Sequence, residues 1–121
     1  MNLNPKGVGS AMLASASGRI DLSNADDFTA ALATALTAGK TALILDLSKV
    51  DYISSAGLRS LMITLKASKT DNKGFGVAAL QPMLAEIFSI ARLNQVIPIF
   101  ATTREAVAKL APDALAQFDA G

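Results

Sequence analysis

The strongest constraint on this chain is the segment Ala42-Leu43-Ile44-Leu45-Asp46-Leu47, which is nearly continuous in apolar side chains. A strand with one wet face alternates polar and apolar residues, whereas a strand buried on both faces reads as an unbroken apolar run. The segment therefore predicts a central strand in a sheet covered by helices. Gly76-Val77-Ala78-Ala79-Leu80 and Val96-Ile97-Pro98-Ile99-Phe100 have similar character. Pro98 has no amide proton to donate to a ladder, so the last of these strands is expected at an edge. Met12 to Ser17 alternates weakly and is expected as a half-exposed strand, in a hairpin with the residues before Gly7 to Gly9.

Helical periodicity fills the intervals. Phe28, Ala31, Leu32, Ala35 and Leu36 form an i, i+3, i+4, i+7 stripe, with Ser23 as the expected cap, Asp26 as its capping-box acid and Gly39 at the end. Leu58, Leu61, Met62 and Leu65 give a second stripe, closed by Asp71-Asn72-Lys73-Gly74. Leu84, Ile87, Phe88 and Ala91 give a third, entered through Pro82. A fourth begins near Thr103, carries Val107 and Leu110, and stops at Pro112. Strands alternating with helices argue for an α/β fold with a mostly parallel sheet. The 23 alanines suit helices packed closely on it. At 121 residues the chain is expected to form a single domain over 1–121, with a core of roughly 12–110 and a loosely held end at 113–121.

The residue types that are absent exclude several chemistries. There is no His and no Cys. A Ser-His-Asp triad, a Cys-His pair, an imidazole or thiolate metal site and any disulfide are thereby ruled out. Eleven Lys and Arg against ten Asp and Glu give a net charge of +1, too little to draw in nucleic acid or anionic lipid. No apolar run approaches the roughly 18 residues of a membrane span, and the start lacks a compact Leu-rich core. The expectation is a soluble cytoplasmic protein, not an enzyme, with no metal and no cofactor.

The stretch between Leu47 and Leu58 is the most informative. Ser54, Ser55 and Gly57 fall where the second helix should begin, after a buried strand. Sites in open α/β sheets gather at such places, and helix N-termini present amide protons to anions. Ser is equally a preferred N-cap, worth about 1 kcal/mol, and spacing alone favours that plainer role. Nucleophilic chemistry finds no support. Ser55 lacks the Gly-x-Ser-x-Gly setting, and nothing in the spacing pairs it with Lys49 or Lys66. Gly74-Phe75-Gly76 lacks the third glycine of a phosphate loop. Asp26 and Asp27 complement a helix dipole. Asp46 would need an acidic cluster to act as a phosphoacceptor, and Ser17-Gly18-Arg19 supplies none. Arg59, Ile63 and Lys66 lie off the apolar stripe, and Ile63 among polar neighbours hints at a partner surface.

The run Leu45-Asp46-Leu47-Ser48, continued by Val50-Asp51-Tyr52-Ile53-Ser54-Ser55-Ala56-Gly57-Leu58, resembles the signature of STAS domains, in particular bacterial anti-sigma-factor antagonists. Gly18-Arg19-Ile20-Asp21 resembles the family's Gly-x-Leu/Ile-Asp turn. Ile90-Ala91-Arg92-Leu93 and Val96-Ile97-Pro98-Ile99 resemble its third helix and last strand. The resemblance spans roughly Met12 to Leu110. It implies a small mixed four- or five-stranded sheet covered by about four helices. It also implies a partner: an anti-sigma factor that is itself a serine kinase and binds the ATP. Binding it would release a sigma factor. Phosphorylation of the chain would end the complex, and a PP2C-type phosphatase would reset it. The family motif is Asp-Ser-Ser/Thr-Gly. Ser54 stands at its Asp position, Ser55 at the phosphoacceptor, Ala56 at the second hydroxyl residue, and Gly57 matches. The partner surface implied is Ile20, Asp21, Leu22, Ser23, Ser54, Ala56, Gly57, Leu58 and Arg59. A STAS subunit of a bacterial lipid-transport ABC system, or of another signalling complex, is the alternative; there Ser55 would be a helix cap and never phosphorylated.

Overall fold

The computed structural model describes residues 1–121. Five strands form one sheet in the order β1-β2-β3-β4-β5: β1 Asn2–Val8, β2 Ala11–Ile20, β3 Ala42–Ile53, β4 Gly74–Ala78 and β5 Ile99–Phe100. β1 and β2 are an antiparallel hairpin turning through Gly9 and Ser10, with Gly9 at φ +57°; the other neighbours are parallel. Helices α1 Ala25–Ala38, α2 Ser55–Thr70 and α3 Pro82–Ile90 are the crossovers, followed by α4 Thr103–Leu110 and α5 Leu115–Ala120.

Each crossover steps the same way across the sheet. Parallel connections are right-handed, so α1, α2 and α3 must share one face. Leu43, Leu45 and Leu47 of β3 point into that layer, with Phe28 and Leu32 of α1, Leu61 of α2 and Phe88 of α3. Ala42 and Ile44 point the other way, onto Ala106 and Val107 of α4. The two-faced burial expected of this strand is thus met, with the thicker cover on the first face.

β3 runs six residues past the apolar stretch that announced it. Ser15 pairs with Asp46 but Ser17 with Lys49; Gly18 pairs with Val50 but Arg19 with Tyr52. At each step β3 supplies one residue more than β2, a bulge that moves its alternation to the opposite phase. The core-facing positions therefore run Leu43, Leu45, Leu47, then Val50, then Ile53. Asp46 braces the first bulge, its carboxylate accepting from the Ser48 amide at 2.9 Å. β4 pairs with β3 only as far as Asp46, so Leu47 to Ile53 project beyond it. The Gln81 side chain covers part of that free edge by donating to the Ser48 carbonyl at 2.9 Å.

Other expectations shift as well. The last strand is at the edge, as Pro98 required, but holds only Ile99 and Phe100. Leu93 and Ile97 are buried from an irregular turn instead, entered through Arg92 in the left-handed region at φ 60°. On α2, Met62 is exposed, and the buried face is Gly57, Ser60, Leu61, Thr64, Leu65 and Ser68. Small hydroxylated residues let α1 and α2 approach closely. Thr29 donates to the Ser60 hydroxyl at 2.7 Å, and Ser60 to the Ala25 carbonyl at 3.2 Å. The end of the chain, expected to be loose, carries α5. Ala114 is fully buried, Leu115 and Phe118 pack on the smaller core, and Ser10 donates to Asp113 at 2.6 Å. Apolar residues at Ala114, Leu115 and Phe118 give this segment a face to bury, which a count of its polar residues hides.

Candidate functional site

The polar residues of interest gather where β2 and β3 end side by side. Ile20 pairs with Ile53, and the Ser54 amide donates to the Ile20 carbonyl at 2.9 Å. Two helices therefore start next to each other.

The start of α1 is a closed network. The Asp21 amide donates to Asn24 Oδ1 at 2.9 Å, and Asn24 Nδ2 donates to the Arg19 carbonyl at 2.9 Å. The Ser23 hydroxyl and amide both donate to Asp21 Oδ1, and Arg19 Nε lies 3.3 Å from Asp21 Oδ2. The hydrogen bond from the Ser23 hydroxyl, with those from its amide and the Arg19 guanidinium, holds the Asp21 carboxyl below its ordinary value of 3.8, against the opposing effect of desolvation. The Arg19 guanidinium also stacks 4.0 Å above the Tyr52 ring. Ser23 is not the cap expected from its spacing. Asn24 holds the N-cap position, and Ser23 is engaged inside the turn. Between them the turn thrusts out Leu22, which is 84% exposed.

The start of α2 is built from fewer parts. Ser54 is the N-cap, its Oγ accepting from the Gly57 amide at 3.3 Å. Ser55 opens the helix, exposed and with its hydroxyl in no hydrogen bond of the fold. Gly57 is buried against the two strand ends. A Cβ there would lie 2.6 Å from Ile53 Cγ1 and 2.8 Å from Ile20 Cγ2, so only glycine lets the helix seat this deeply. The first turn of α1 carries Asp26 and Asp27; that of α2 carries no acid.

Of the surface residues implied by sequence, Leu22, Ser23, Ser55 and Arg59 are exposed, and Asp21, Ser54, Ala56 and Leu58 are half-buried. Ile20 and Gly57 are corrections. Ile20 is fully buried and Gly57 is wedged beneath the helix, so both shape the surface from below and neither is open to a partner. A groove of about 460 Å³ lies between α1 and α2, with Leu22, Ala56, Arg59 and Ile63 on its walls. The groove and the Arg19–Tyr52 stack were not read from sequence; the off-stripe Ile63 was the one signal toward the groove. No group of three or more acidic, imidazole or thiolate side chains is gathered to hold a metal ion. No helix is long and apolar enough to cross a membrane.

Fold and site together describe a small α/β protein in which two polar helix starts adjoin at one end of the sheet. The family model of the STAS domain matches residues 2–106, and the chain belongs to that family. BtrV of Bordetella bronchiseptica, described as an anti-sigma factor antagonist, is 32% identical over 108 residues, which cover 89% of this chain and 92% of BtrV. An anti-sigma factor antagonist from Mycobacterium paratuberculosis superposes with a TM-score of 0.82 at 25% identity, over 90% of this chain and 92% of that one. SpoIIAA, an anti-sigma factor antagonist of Bacillus solved in unphosphorylated and phosphorylated forms, shares the fold at 16% identity. TM-scores are 0.77 and 0.67, over 92% and 89% of this chain and 97% and 98% of SpoIIAA.

Proposed function

We propose that this chain is a cytoplasmic anti-sigma-factor antagonist. It binds a serine-kinase anti-sigma factor, which carries the ATP, and so releases a sigma factor. Phosphorylation of Ser55 switches it off, and a PP2C-type phosphatase restores it. The observation that carries this reading is the division of labour between adjacent serines. Ser54 takes the structural role of cap, which leaves the Ser55 hydroxyl exposed and uncommitted. The existence of SpoIIAA in a phosphorylated form supports it from the side of the family.

Phosphoserine adds about −1.5 to −2 charges at pH 7. At a helix start the amides and the dipole favour that charge, so the fold tolerates it. The effect falls on the interface, where a partner would have to desolvate a dianion. The exposed Leu22 and Arg59 line the groove between α1 and α2 and are the contacts assigned to the partner.

The test is a pull-down with the kinase partner, with and without ATP, followed by mass spectrometry. Ser55→Ala is expected to stay bound when ATP is added, and Ser55→Asp to bind at least tenfold more weakly than the unmodified chain. An intact Ser55 after incubation with kinase and ATP, together with full binding by Ser55→Asp, would overturn the switch.

A further inference from the structure

The solvent face of α2 runs through Ser55, Arg59, Met62, Lys66 and Lys69, and no acid occurs anywhere in the helix. Arg59 stands four residues after Ser55. Side chains at i and i+4 meet on a helix surface, and they lean toward the N-terminus, which aims Arg59 back at Ser55. Arg59 is exposed and belongs to neither ion pair of the fold, which are Arg19–Asp21 and Arg104–Asp119. Asp26 of α1 shares the groove with Arg59 without pairing to it. A guanidinium fork with free donors thus lies one turn from a hydroxyl in no hydrogen bond.

We propose that Arg59 receives the phosphate of Ser55 within the chain, closing an i, i+4 clasp across the first turn of α2. The proposal rests on the reading of Ser55 as phosphoacceptor. A phosphate offers three strong acceptors, and a guanidinium binds such a group through paired donors. The order, anion first and cation one turn on, is the one the helix dipole supports. Arg59 also lines both the groove between α1 and α2 and an apolar hollow of about 350 Å³ with Met62 and Ile63. Turning Arg59 onto the phosphate draws a cation away from the rim of both. The phosphorylated surface therefore differs in two places: a dianion is added at Ser55, and Arg59 is withdrawn from the groove.

The test uses the full chain with phosphoserine installed at position 55 during translation, so that no kinase is needed. In the phosphorylated protein the Arg59 Nε–H resonance is expected to shift and to exchange more slowly with water. By phosphorus NMR, the second ionisation of the phosphate is expected to move up by about 0.4 unit in Arg59→Gln, the equivalent of one i, i+4 helix ion pair. Arg59→Lys should recover part of that shift. Asp26 and Lys66 are present in every variant, so the difference reports Arg59. An unmoved Nε–H signal with the same phosphate titration in Arg59→Gln overturns the clasp. A kinase that leaves Ser55 unmodified overturns the proposed switch instead, and the installed phosphoserine reads the two failures apart.

Discussion

Helices α1 and α2 leave the same end of the sheet from paired strands, and their first turns are built in contrasting ways. The start of α1 is tied internally: Arg19, Asp21, Ser23 and Asn24 satisfy one another, and Asp26 and Asp27 answer the helix dipole. The start of α2 has one cap from Ser54, a glycine seated on the core, and no acid. Negative charge is thus permanent at one helix and absent at its neighbour. A negative group added at the second would meet no acid already in that first turn. The difference teaches why the two serine-bearing turns are unequal candidates. Ser23 has its hydroxyl engaged by Asp21, while Ser55 has its hydroxyl free.

Five substitutions test this contrast, beginning with the largest effect. Gly57→Ala forces a methyl between Ile20 and Ile53, at a cost of about 1–3 kcal/mol for overpacking, against at most about 1 kcal/mol gained in helix propensity. Urea unfolding should show a lower midpoint; an unchanged one would mean that α2 does not need its close seat. Asn24→Ala removes two bonds that hold the α1 turn and should cost about 1–2 kcal/mol in the same assay. Ser54→Ala loses the cap, about 1 kcal/mol, whereas Ser55→Ala should stay within about 0.5 kcal/mol of the parent chain. Equal losses at Ser54 and Ser55 would erase the division of labour between them. The smallest effect concerns pH. Asp21 has a lowered carboxyl value in the folded state, so its stabilisation is present above about pH 3.8 and is lost as the pH falls through the folded value. Melting temperatures of Asp21→Asn between pH 7 and pH 2 should therefore decline less on the acid side than those of the parent chain.

Much of the architecture is legible in the chain because its local signals agree. The apolar centre of β3, the stripe of α1, Gly39 and Pro82 all fall where local rules place them. What escapes is long-range. The phase of β3 breaks twice because β3 carries one residue more than β2 at two points, so a reader following alternation stops at Leu47. Val96 to Pro98 has strand-like composition, but Arg92 turns the chain and Ile97 is buried without joining the ladder. Met62 continues an apolar stripe by spacing and is exposed, because the closeness of α1 favours the small Ser60 and Thr64 inside. The site shows the same division. Spacing marks a helix start at two adjacent serines, yet which one caps depends on how deeply Gly57 sits against Ile20 and Ile53. Ile20 was legible as part of the turn but not as buried beneath it.

The strand order has a consequence of another kind. Every strand pairs with the one before it in the chain. No strand waits for a distant partner, and each closure spans a single hairpin or one crossover helix. Mean sequence separation between pairing strands is what slows the folding of sheet proteins. A chain wired in this consecutive manner can lay down its sheet from the first hairpin onward while the ribosome is still delivering the rest. Helices α4 and α5, which follow the sheet in the chain, then close the face that β1 to β4 have already formed.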